Sequence, residues 1–244
     1  MKIIDRTFII SGGASGLGRA CAVDIAKHGG NVAILDMNED AGQALVKELG
    51  AVAKFWVTDV LETDSVAAAV QGAVEWIKHT GKALGGIVPA AGVGHPGLIL
   101  DRKGKPFSLA HVDFVLGINV RGTLDVARQA LPHLAATPPS EPDGERGVVV
   151  MVASAAAFDG QMGQVSYAAS KGAVASMTLP MARDLSRFGI RVVTIAPGTF
   201  ETPMTSMMNE KTRKSLQKAM EFPQREGKPE EFAITARRSI KNAQ

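Results

Sequence analysis

The 244 residues hold one cysteine, one tyrosine and two tryptophans. The lone thiol, Cys21, excludes a disulfide framework and a thiolate metal cluster, and it suits a reducing compartment. The five histidines (His28, His79, His95, His111 and His133) stand at no metal-ligand spacing, which argues against a metal site. Long apolar runs are also lacking. The longest, "GVVVMVASAAAF" from 147 to 158, is too short for a membrane span and opens with β-branched residues, so it reads as a buried strand. The N-terminus shows no secretory h-region and no Arg- and Ser-rich presequence, so a cytoplasmic protein is expected, or one of the mitochondrial matrix in a eukaryote. Charge of one sign is scarce. The net +3 is too small to argue for nucleic acid. Residues 210–241 hold nine basic and five acidic side chains and so carry the whole excess. A solvated helical face accounts for that stretch in the ordinary case.

What is present is a rhythm. "TFIISGGASGLG" starts as an apolar strand and breaks into glycines, and a helical pattern follows from Leu17 to about His28. "NVAILD" reads as a strand. "NEDAGQALVKELG" reads as a helix with Asn38 as its N-cap, acids in its first turn and Gly50 past its end. "VAKFWVTDV", "GGIVPAAG", "GVVVMVAS" and "IRVVTIAPG" supply four more strands. Helical patterns cover Thr63 to His79, about 110 to 136, and 165 to 187. Gly92 to Ser108 and "ATPPSEPDGERG" read as loops. Strands that are apolar throughout, alternating with helices, predict a parallel sheet covered on both faces. The expected fold is α/β, a single-domain, doubly wound Rossmann-type sheet spanning residues 1–244.

Two places carry chemistry. In "SGGASGLG", Gly12, Gly16 and Gly18 permit a tight turn and let backbone approach a pyrophosphate held by helix N-terminal N–H groups. Asp36 ends the second strand 18 residues after Gly18, where a carboxylate would meet an adenosine ribose. A carboxylate repels a 2′-phosphate, and neither Ser15 nor Met37 is basic, so NAD is expected rather than NADP. The second place is "SYAASKGAV", where Tyr167 precedes Lys171 by one helical turn. By itself the pair is better explained by a helix with its tyrosine packed inward and its lysine at the surface.

The joint pattern resembles the short-chain dehydrogenase/reductase family. It comprises S-G-x-x-x-G-x-G, Asn119 in "GINVRGTL", Ser154 thirteen residues before Tyr167, the Y-x-x-x-K, and "PGTFETPM" in that order. The stretch "ASAAAFDGQMGQVSYAASKGAVASMTLPMARDL" with "GIRVVTIAPGTFETPM" is most similar to that family's 3-hydroxyacyl-CoA dehydrogenases of type 2, which are also known as hydroxysteroid dehydrogenases. The resemblance implies an NAD-dependent oxidoreductase that interconverts a secondary alcohol and a ketone, most simply (S)-3-hydroxyacyl-CoA and 3-oxoacyl-CoA. A 3-oxoacyl-carrier-protein reductase, a hydroxysteroid dehydrogenase and an NAD-binding regulatory protein stand as alternatives. It implies catalytic roles for Asn119, Ser154, Tyr167 and Lys171. Cofactor contacts are implied at Ser11, Gly12, Ser15, Gly16, Leu17, Gly18, Asp36, Asp59, Val60, Ala91, Gly92, Tyr167, Lys171, Pro197, Gly198 and Thr202. With the nicotinamide's positive charge nearby, the Lys171 ammonium would favour the Tyr167 phenolate.

A substrate loop and helical lid are expected over about 197–225. Gln161 and Gln164 are candidates for the substrate carbonyl or thioester, and Lys211, Arg213, Lys214 and Lys218 for the phosphates of CoA. Met204, Met207 and Met208 are candidates for an apolar slot. The small residues of the 165–187 pattern, with the 110–136 helix, imply a dimer that pairs into a tetramer. Two departures stand out. Pro89-Ala90-Ala91-Gly92 replaces the family's Asn-containing end of the fourth strand, which puts local pairing there in doubt. The family also continues beyond the point matching Gln244 with a further strand, so a sheet lacking that strand is expected.

Overall fold

The computed structural model describes residues 2–208 and 220–241, together with 210, 213, 216 and 218. Six strands form one parallel sheet: β1 (Arg6–Ser11), β2 (Asn31–Asp36), β3 (Ala53–Val57), β4 (Ala83–Pro89), β5 (Gly147–Val152) and β6 (Ile190–Ile195). Their order is β3-β2-β1-β4-β5-β6. The chain therefore reverses its direction of travel between β1 and β4, which opens a crevice at the carboxyl ends of those strands.

Period-two alternation sends side chains to both faces. Phe8, Ile10, Ile34, Val148 and Val150 pack with Cys21 and Ile25 of α1 (Gly16–Lys27) and Leu45 of α2 (Glu39–Leu49). Ile9, Leu35, Ile87, Val149 and Met151 face the other way. They meet Val66 and Val70 of α3 (Thr63–Thr80), Val126 and Leu134 of α5 (Thr123–Ala135), and Val174 of α6 (Val165–Ser186). The last described helix, α8 (Pro229–Lys241), joins the first layer through Phe232, Ala236 and Ile240. Asn38 caps α2 as expected, its side chain accepting from Ala41 N–H at 3.0 Å.

The pattern over 110–136 is not one helix. It divides into α4 (Leu109–Leu116), a π-helical turn over Gly117–Gly122, and α5. A side-chain carbon at Gly117 would lie 2.8 Å from Leu61, and one at Gly122 would lie 2.9 Å from Val60. The widened turn thus lets this helix press against the loop after β3. Pro89 turns out to be the last residue of β4, in register with Ser11. The ladder continues past it because Ala90 N–H donates to Ser11 O at 3.0 Å. The expected weakness there is relieved by the next residue. Among the described residues no strand pairs with the outer edge of β6, so the sheet has six strands, as expected.

Candidate active site

The crevice holds a cleft of about 390 Å³. Its floor is the turn between β1 and α1. Gly12 and Gly16 adopt φ of 63° and 51°, in the left-handed region that disfavours side chains. A side-chain carbon on Gly12 would lie 2.7 Å from the Ala91 backbone, and one on Gly18 would lie 2.2 Å from Gly12 O. Main chain therefore approaches main chain, and Gly16, Leu17 and Gly18 at the start of α1 line the cleft. There is no acidic residue in the first turn of α1 to repel an anion. These features fit a dinucleotide's pyrophosphate.

Asp36 closes one end. Its Oδ2 accepts from Ala14 N–H and its Oδ1 from Asn38 N–H, each at 3.0 Å, so the carboxylate is held at the cleft wall by the turn it faces. Asp59 lies beyond it, with Oδ1 accepting from Leu61 N–H at 2.9 Å.

At the other end the predicted reacting residues converge. Ser154, Tyr167 and Lys171 line the cleft together with Gly92, Pro197, Gly198 and Thr202. Ser154 leaves β5 as the N-cap of a short 3-10 turn and accepts from Ala156 N–H at 3.2 Å. Its hydroxyl is also near enough to the Tyr167 phenol to influence its ionisation. The Lys171 Nζ lies 5.9 Å from the Tyr167 ring centre and donates to Val152 O at 2.8 Å. Burial raises the phenol above its usual pKa, and the neighbouring Ser154 hydroxyl offsets this in part. Burial also lowers the lysine, to about 8. A partly dry wall therefore disfavours both charges. The protein alone does not supply the depressed phenol that the Tyr–Lys spacing suggests.

Asn119 sits in the π-helical turn, fully buried. It accepts from Val93 N–H at 2.8 Å and donates to Val93 O at 2.9 Å and to Ser170 Oγ at 3.0 Å. It clamps the strand-β4 exit to α6. A side-chain carbon at Gly92 would lie 3.2 Å from Asn119 Oδ1 and 3.5 Å from Lys171 Nζ, so both polar atoms border one small space.

Not every candidate reaches the cleft. Ser11 is buried beneath it, its hydroxyl accepting from Ala91 N–H at 3.4 Å. Gln161 and Gln164 lie outside the lining. Gln164 precedes α6 and hydrogen-bonds Gln161 N–H. Met204 and Met207 line the cleft; Met208 does not. Of the proposed CoA contacts, Lys211 and Lys214 lie outside the described residues. Lys218 is exposed, and Arg213 is bound to Glu226. Sequence reading missed Ser170, Val93 and Phe200. Ser170 could have been suspected from its place between Tyr167 and Lys171, but the other two show no pattern in the chain.

The family model for short chain dehydrogenases matches residues 6–213. The chain belongs to the short-chain dehydrogenase family. It is an oxidoreductase of the type that uses a nicotinamide cofactor. It is 44% identical over 226 residues to the 3-hydroxyacyl-CoA dehydrogenase type-2 of Drosophila melanogaster, covering 92% of this chain and 87% of that one. The Homo sapiens protein of that name is 38% identical, covering 96% and 88%. Among solved structures, 3-hydroxyacyl-CoA dehydrogenase type-2 from Mycobacterium avium superposes with a TM-score of 0.88 at 39% identity, covering 97% of this chain and 90% of its own. A 3-ketoacyl-(acyl-carrier-protein) reductase from Brucella melitensis, complexed with NADH, superposes with a TM-score of 0.82 at 25% identity, covering 98% and 92%.

Proposed function

We propose that this short-chain dehydrogenase oxidises (S)-3-hydroxyacyl-CoA to 3-oxoacyl-CoA with NAD. The observation that carries the reading is the convergence of Tyr167, Ser154 and Lys171 at one end of a cleft whose other end is the glycine turn and Asp36. Similarity to the type-2 enzymes supports the substrate class. Gly12, Gly16, Gly18 and the α1 N-terminus would hold the pyrophosphate, Asp36 the adenosine ribose hydroxyls, and Thr202 the nicotinamide amide. NAD, when bound, supplies the hydride acceptor.

The chain's own residues handle the proton. Ser154 holds the substrate oxygen and Tyr167 removes its hydrogen as general base. Phenols ionise near pKa 10, so operation near neutrality needs roughly 4 kcal/mol of differential stabilisation. Ser154 contributes to it against the opposing effect of burial, and Lys171 would add to it in its charged form. Asn119 keeps Val93 and α6 in place around this space. In the same reading the enzyme is a homo-oligomer, a dimer or tetramer, built on α5 and α6. Phe114, Leu124 and Leu179 are exposed on α4, α5 and α6, and a side chain at Gly172 would meet open space. A reducing compartment, cytoplasmic or mitochondrial matrix, fits the buried free thiol.

The test is NADH formation with 3-hydroxybutyryl-CoA, run beside a hydroxysteroid, a carrier-protein thioester and a simple secondary alcohol, each with NAD and NADP. The acyl-CoA with NAD should give the highest kcat/KM. A higher value with any other pair would displace this assignment.

A further inference from the structure

Ser170 of α6 is a fully buried hydroxyl to which the proposed chemistry gives no part. It stands between Tyr167 and Lys171 in the chain. Its Oγ donates to Tyr167 O at 2.7 Å and accepts from Asn119 Nδ2 at 3.0 Å.

A helical serine that donates three residues back is an ordinary local feature. Ser186 does so to Arg183 O, and Ser206 of the short α7 (Pro203–Ser206) to Pro203 O, each at 2.8 Å. Both of those serines are exposed. Ser170 is 0% exposed, and it joins its own helix to a second element.

The direction of each proton in this network follows from its partners. Val93 offers one N–H and one carbonyl. It therefore takes Asn119 Oδ1 at 2.8 Å and one Nδ2 hydrogen at 2.9 Å. That fixes which end of the amide is nitrogen and leaves its second hydrogen for Ser170. The serine oxygen receives, so its own hydrogen goes to Tyr167 O. An α-helix pairs that same carbonyl with the Lys171 N–H. The bonds thus run from the exit of β4, through the π-helical turn, to the backbone joint between Tyr167 and Lys171. Lys171 Nζ grips the end of β5 through Val152 O at 2.8 Å, so the turn that carries the phenol is held from two sides.

We propose that Ser170 is a positioning residue, which through Asn119 fixes the helical turn that presents the Tyr167 phenol to Ser154 and to the substrate oxygen. The proposal rests on Tyr167 being the base, as argued above, but it has a readout that needs no turnover. Removing the hydroxyl leaves an Asn119 N–H without a partner in a space closed to water. The turn then loses its register with Ser154, while the phenol stays buried.

The test uses Ser170→Ala, Ser170→Cys, Asn119→Ala and the double alanine variant. Tyr167 is the only tyrosine of the chain, so tyrosinate absorbance reports this phenol alone. With NAD bound, its ionisation constant should fall about tenfold in Ser170→Ala, moving the titration up by about one pH unit. The inflection of kcat/KM against pH should move with it, and below that inflection kcat/KM should fall about tenfold. At higher pH the variant should approach the parent, with the NAD dissociation constant within about twofold. Ser170→Cys, a weaker donor and acceptor, should lie between the two. The double variant should shift no further than Asn119→Ala alone, because one chain of bonds is broken in both. An unmoved titration in Ser170→Ala, with or without a lower melting temperature, would overturn the proposal. So would shifts that add in the double variant, since the two residues would then act separately. If the parent protein oxidises no alcohol, the function assigned above fails, and the tyrosinate titration decides the role of Ser170 by itself.

Discussion

The buried ammonium of Lys171 leaves a thermodynamic signature independent of turnover. Its pKa falls from 10.5 to about 8 on folding because burial penalises the charge. Between those values the unfolded chain binds the extra proton, so raising pH favours the folded state through this group. Tyr167, shifted upward by burial, acts the other way only above its ordinary value of 10. Chemical denaturation of the cofactor-free protein should therefore show Lys171 contributing about 2 kcal/mol more stability at pH 10 than at pH 8. Lys171→Met should lack that increment, and an identical slope in both proteins would contradict the assigned shift. At the same scale, Tyr167→Phe should retain NAD binding by calorimetry and lose at least about a hundredfold in kcat, the usual contribution of a positioned base. Substantial residual turnover would remove Tyr167 from that role. The neighbouring residues differ in how readily the chain discloses them. Tyr167, Lys171 and Ser154 are visible through spacing. The hydroxyl of Ser170, which donates to Tyr167 O at 2.7 Å and accepts from Asn119, is visible only once α4–α5 and α6 are packed together.

At the scale of elements, the turn from β1 to α1 was legible because steric exclusion is local. Only glycine tolerates φ of 63° at Gly12 or a backbone oxygen 2.2 Å from a would-be side chain at Gly18. Gly18→Ala must displace the turn, so it should cost about 1–3 kcal/mol of stability and weaken NAD binding as measured by calorimetry. Retention of full affinity would show that the turn does not hold the pyrophosphate. The helix over 110–136 shows the opposite case. Its apolar pattern continues through the π-helical turn without a break, because the interruption is set by what the helix presses against, Val60 and Leu61. That widened turn is what carries Asn119 to Val93. The strand ends are similar. Pro89 looks unfavourable in the chain, yet Ala90 N–H restores the ladder one residue later.

Across the whole molecule, α8 is the support that pattern alone understates. Its Phe232 is buried against the first layer and meets the cleft-lining Phe200 edge to face, at 6.0 Å and 82°. Arg191 of β6 donates to Ser239 O and Ile240 O at 2.7 and 2.8 Å, satisfying carbonyls at the end of that helix. Arg237 pairs with Asp24 of α1 at 2.8 Å. Phe232→Ala should cost about 3–5 kcal/mol and lower the melting temperature by at least about 6 °C, read by scanning calorimetry. A shift of a degree or less would mean that α8 is dispensable to the body of the protein.

Residue order alone determined the doubly wound parallel class, the glycine turn, the acid at Asp36 and the Tyr167–Lys171 spacing. Each of these follows from interactions within about one turn or one strand, where neighbours in sequence are neighbours in space. Tertiary structure decided the rest: the clamp of Asn119 on Val93, the exclusion of Gln161 and Gln164 from the cleft, the engagement of Arg213 by Glu226, and the opposed pKa shifts of Tyr167 and Lys171. Those depend on which distant groups share a site and how much water reaches it, and neither quantity is carried by a local pattern.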